Sequence, residues 1–176
     1  MHLKRLLPVL LFYLLIPPGL LAQNTRSEQD YIGRVTDLYW GADSMWVSFN
    51  TSFIRDAIDG SKNVKVLRLE VGGSGPTGSY RKESYYINYD QLSDWENGIG
   101  QLVSLATKRM KTNAPGSAVS YQKCAIRLGI DKGVRPQAYL SISVPDGEIP
   151  MRMKLESLSE FKQLVQKAAA TLKAKK

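Results

Sequence analysis

A nine-residue segment occurs twice, 66 residues apart, and each copy joins an alternating stretch to an apolar-striped one. Tyr89–Asn97 (YDQLSDWEN) aligns position by position with Leu155–Gln163 (LESLSEFKQ). Through the segment and beyond it, Leu92, Trp95, Ile99, Leu102 and Ala106 correspond to Leu158, Phe161, Val165, Ala168 and Leu172. Spacings of three and four draw one apolar stripe along each of two helices, about 93–110 and 159–173. Ahead of it, Tyr85, Ile87 and Tyr89 keep the same offset from Met151, Met153 and Leu155. Their period of two belongs to a strand with one buried face. Polar positions match too, which favours duplication of a strand-then-helix unit over a helix that simply happens to cover a sheet. Ser93 and Ser159 are the expected N-caps, each with a carboxylate in the following turn.

The rest of the chain reads as strands and turns. Tyr31–Trp40 and Ser44–Asn50 form a hairpin about Gly41 and Asp43, and Phe53–Ile58 is ambiguous. Val64–Val71 and Tyr80–Tyr89 are strands joined by the glycine-rich stretch 72–79. After a break over Lys111–Ser117, strands run through Val119–Ile130, Val134–Val144 and Ile149–Leu155. Upstream the repeat is ambiguous, since Val66–Val71 matches either Ala125–Ile130 or Ala138–Val144. The expected fold class is α+β: two antiparallel sheet-plus-helix units, 23–112 and 113–176, packed as one compact body. Units of this size bury little core alone.

Residues 1–22 have the pattern of an export leader. Lys4 and Arg5 precede an apolar run, Leu6–Ile16, which is too short to span a bilayer, and a Leu20-Leu21-Ala22 end follows Pro17 and Pro18. Cleavage leaves 154 of the 176 residues, with 22 basic groups against 16 acidic. No membrane-spanning segment is expected after cleavage, and the address is periplasmic or secreted. That charge suits an anionic partner such as polysaccharide, lipopolysaccharide or nucleic acid.

Cleavage also removes His2, the only histidine. The commonest general base, the usual Ser-His and Cys-His pairs and every histidine metal site go with it. A lone cysteine, Cys124, rules out an intramolecular disulfide. Its alternation with Ile126 and Leu128 makes it a core residue. Asp90 with Asp94 or Glu96, and Glu156 with Glu160, lie at helix starts, where carboxylates favour the positive end of the dipole. Gly72–Gly78 lacks the lysine-then-hydroxyl ending of a phosphate loop. No enzyme activity, cofactor or metal is expected, with a carboxylate-only hydrolase on Asp90 and Asp94 as a minor alternative. Asn50-Thr51-Ser52 is a glycosylation acceptor pattern, meaningful only in a eukaryotic secretory pathway.

The most suggestive constellation faces away from the alternating core. Tyr121, Lys123, Arg127, Arg135, Gln137, Tyr139, Arg152 and Lys154 occupy outward positions of the last strands. Cations interleaved with rings suit an anionic chain, since ammonium and guanidinium groups meet charge while flat rings stack. An ordinary solvated sheet or a face packed on a partner would read the same way. In broad outline the tandem sheet-plus-helix plan resembles the Pur-alpha and whirly single-strand-binding folds. The likeness is one of topology, so no binding residue carries over. The sequence thus leads to an exported, non-enzymatic binding or envelope-associated protein, with a structural, oligomer-forming subunit or a protein partner as the alternative.

Overall fold

The computed structural model describes residues 25–56, 63–74, 80–112, 118–123, 125–131, 137–144 and 147–175. The leader 1–22, Cys124 and Arg135 lie outside them. Four strands come first: β1 (Thr25–Trp40), β2 (Asp43–Asp56), β3 (Val64–Ser74) and β4 (Tyr80–Asn88). A short 3-10 turn, Tyr89–Gln91, leads into helix α1 (Leu92–Thr112). Four more strands follow, β5 (Val119–Lys123), β6 (Ile126–Ile130), β7 (Ala138–Val144) and β8 (Gly147–Met153), and then helix α2 (Ser157–Ala174). The class is α+β. The strands make one antiparallel sheet in the order β4-β3-β2-β1-β8-β7-β6-β5, in place of the two sheets expected. The seam between its halves is narrow: Leu38 pairs with Met153 and Tyr39 with Arg152.

Both helices lie on one face of this sheet, and each covers the other half. α1 packs on β5 and β6, α2 on β1, β2 and β3, and the helices pack on each other. All ten residues of the two stripes are buried. Where the helices meet, the equivalent residues Trp95 and Phe161 touch edge to face, with centroids 5.6 Å apart. Phe161 then meets Phe49 of β2 at 4.7 Å. Gln166 donates to Glu96 across the crossing at 2.6 Å. One core runs through both halves.

The two helix–sheet contacts are filled by opposite means. Leu164 of α2 presses on Gly33 of β1, where a Cβ would stand 2.5 Å from Cδ2. On α1 the position equivalent to Leu164 is Gly98, and the ring of Tyr121 from β5 lies on it. The Tyr121 hydroxyl donates to the Asp94 carbonyl at 3.0 Å, fixing that ring. An alanine at Gly98 would place its Cβ 2.5 Å from the ring. Gly98→Ala is therefore expected to lower stability by about 1–3 kcal/mol in urea denaturation. Gly33→Ala should cost less, because the tip of a leucine can turn aside. Equal losses would contradict this account.

Several local expectations shift. The helices begin at Leu92 and Ser157, so Ser93 and Ser159 lie inside the first turns and cap neither. β2 continues through the ambiguous stretch to Asp56, with Phe53 buried. β3 continues into the glycine-rich stretch because Trp46 of β2 lies on Gly72, where a Cβ would stand 2.4 Å from the indole. Arg109 of α1 donates to the Asp131 carbonyl at 2.7 Å, tying α1 to the end of β6.

Candidate functional site

Among the described residues the opposite face of the sheet carries no helix, and register places its side chains in rows. At the seam, Tyr39, Arg152, Tyr139 and Gly129 lie side by side on β1, β8, β7 and β6. The Tyr139 ring lies across Gly129, where a Cβ would stand 2.4 Å from Cζ. Tyr39 is 41% exposed, and Arg152 is exposed between the two tyrosines. Tyr39 and Arg152 border a cleft of about 370 Å³, lined also by Gln137, Met153, Lys154, Leu155 and Glu156. The neighbouring cations are engaged. Lys154 donates to Asp37 at 2.9 Å, and that hydrogen bond, with the carboxylate charge, holds its ammonium above the usual lysine range. Arg127 meets Glu148 at 3.2 Å and Gln122 at 3.3 Å. Glu148 also accepts from Ser141 at 2.9 Å.

Of the residues expected here from sequence, Arg127, Tyr139, Arg152 and Lys154 share this face, as does Gln137. Tyr121 does not: it lies on the helix side, against Gly98. The chain reverses between Lys123 and Ile126, which pair with each other, where one continuous strand was expected. A two-residue reversal inverts the alternation, so Tyr121 pairs with the buried Leu128 and Lys123 with Ile126. Both positions therefore belong to the helix side by register. The side chain of Lys123 lies outside what is described, as does all of Arg135.

The first half has a comparable face that sequence reading missed. Arg34 sits 4.4 Å over the Trp46 ring and donates from Nε to Ser48 at 3.2 Å. Arg68 and Lys82 both contact Glu70, at 3.3 and 3.2 Å. One row runs Tyr31–Asn50–Arg68–Tyr86 across four strands, with the end rings 64% and 55% exposed. Within the row, Asn50 Nδ2 and Arg68 Nε are buried and lack acceptors. The signal was present in the alternation of β2 and β3. It was obscured in β1, whose register shifts between Tyr31 and Gly33 and again between Val35 and Leu38.

The carboxylates Asp90 and Asp94 do not share a cleft. Asp90 and Asp94 are exposed, and Asp90 lines a shallow cleft with Lys65 and Asn88 that does not include Asp94. Among the described residues no three His, Cys, Asp or Glu side chains group to hold a metal. No described helix is long and apolar enough to cross a membrane. What the open face can do chemically is hold an anionic group on a guanidinium and lay rings against tyrosines.

No protein-family model matches the chain, and no curated protein matches it either. Among solved structures, the chain superposes on one described under "Mutations in SsgB correlate to longitudinal cell division during sporulation of Streptomyces coelicolor". Identity is 12% and the TM-score 0.31, over 82% of this chain and 87% of the other. A likeness this slight says nothing about what either chain does.

Proposed function

We propose that this is an exported, non-enzymatic binding protein, associated with the cell envelope, that holds an anionic macromolecule on the helix-free face of its sheet. The observation that carries this is Arg152. Among the described cations of that face it alone has neither a carboxylate nor a ring contact, and it stands between Tyr39 and Tyr139 over a cleft. A planar, always-charged guanidinium whose register neighbours on both adjacent strands are tyrosines suits carboxylate, sulfate or phosphate carried on a ring-bearing chain. The leader-like residues 1–22 and the absence of histidine beyond them support export and binding over catalysis.

The reading includes an ancestral duplication. Each half runs four strands and then a helix, the buried helix stripes correspond at a constant offset, and the helices cross at the equivalent Trp95 and Phe161. On this view the seam cleft arose where the two copies joined.

Retention on immobilised hyaluronan across a salt gradient tests the proposal. Arg152→Ala should weaken binding about tenfold, the worth of one charge-assisted contact. Arg127→Ala should change it less, because Glu148 already engages that group. Retention unaffected by Arg152→Ala would reject the site.

A further inference from the structure

The charge pattern of the open face says what kind of anionic chain fits it. Carboxylates are built into the track: Glu70 between Arg68 and Lys82, Glu148 beside Arg127, and Asp37 beside Lys154. A nucleic acid strand brings a phosphate at every residue and needs unpaired cations along its whole path. Three fixed carboxylates on that path would repel it. Between the charges lie neutral hydrogen-bonding groups, including the exposed Gln29, Ser84 and Asn88. Such a face is complementary to a hydroxyl-rich polymer with an anionic group only at intervals.

Resting on the proposed reading of this face, we infer that its ligand is a sparsely charged acidic glycan, and that the row Tyr31, Asn50, Arg68 and Tyr86 is a second contact for it, occupied in the free protein by Glu70. Three strand gaps separate the end tyrosines, about 14 Å. The rings can take the apolar faces of sugars while Asn50 and Arg68 meet their oxygens. Glu70, whose side chain is 14% exposed, bridges Arg68 and Lys82 as an incoming carboxylate would. Asn50 Nδ2 and Arg68 Nε lack acceptors with Glu70 in place. Displacing Glu70 frees the Arg68 guanidinium to turn toward the ligand.

The test uses an end-labelled hyaluronan oligosaccharide, which carries a carboxylate on every second ring, and an oligodeoxythymidylate of equal length, with affinity read by fluorescence anisotropy. Hyaluronan should bind the wild-type protein more tightly than the oligonucleotide does. Glu70→Gln should tighten it about tenfold by removing the internal competitor. Tyr31→Ala, at a position 64% exposed, should weaken it several-fold. Tighter oligonucleotide binding, or hyaluronan affinity indifferent to both Glu70→Gln and Tyr31→Ala, overturns the inference. If hyaluronan binding is lost in Arg152→Ala but unmoved by those two changes, the seam site stands and this one falls. If neither polymer binds at low salt, the reading of the whole face falls with it.

Discussion

Trp95→Ala is expected to remove about 3–5 kcal/mol of stability, the range for deleting a fully buried large aromatic side chain. The loss should be read as a lowered urea midpoint with an unchanged slope. Trp95 is fully buried and is the first of three rings that tie the molecule together. It meets Phe161 edge to face, and Phe161 meets Phe49 in the same way, so the rings run from α1 through α2 into β2. A small domain has about 5–15 kcal/mol in total, so this single truncation brings it near unfolding. Trp95→Phe separates ring packing from the indole N–H. Trp95 Nε1 is buried without an acceptor, so phenylalanine discards a group that contributes nothing favourable while keeping most of the contact with Phe161. Its loss should stay below about 1.5 kcal/mol. A cycle combining Trp95→Ala with Phe161→Ala should show coupling of about 0.5–1.5 kcal/mol. Additive losses would mean that the two rings merely share a core.

What sequence made legible and what it did not divide along physical lines. Periodic burial was legible: every stripe position, Leu92 to Ala106 and Leu158 to Leu172, is in the core, as are Ile87, Met151 and Met153. These depend on local geometry, which a period of two or of 3.6 reports directly. The reversal after Lys123 was not legible, because Cys124-Ala125 carries none of the glycine or asparagine that marks a tight hairpin. Alternation therefore ran straight through it, and the wrong face was assigned to Tyr121. The first-half face stayed hidden because the shifts in β1 move Tyr31 and Gly33 to opposite sides despite their even spacing. A difference in strand length explains why the repeat could not be aligned upstream. By position in the chain order β3 answers to β7, yet β3 spans 11 residues and β7 spans 7. The exchange of helices could not be read at all. Both sheet halves offer an apolar face to both stripes, and no local pattern says which stripe goes where. The small-against-large matches at Gly33 and Gly98 decide it, and those are contacts between distant elements.

That exchange leads to a second large effect: neither half should fold alone. A chain of residues 23–112 keeps β1 to β4 and α1 but loses α2, the helix that covers β1, β2 and β3. It would expose Phe49, Leu67, Leu69 and Val71, each fully or almost fully buried in the whole protein. Each is worth about 1.5–3 kcal/mol of burial. α1 could in principle fold back over its own strands. Gly98 would then stand over Gly33 where Leu164 belongs, leaving a void with no side chain from either partner. The converse fails as well, since α2 laid on β5 would drive Leu164 into the Tyr121 ring. Residues 113–176 are, in addition, few enough that a core buried by them alone is marginal. Expressed separately, both fragments should lack a cooperative urea transition. Mixed at equal concentration, they should recover one, together with the near-ultraviolet dichroism of the packed Trp95 and Phe161. A cooperative transition from 23–112 alone would show that α1 can serve its own sheet, and that the exchange is a choice the fold makes without depending on it.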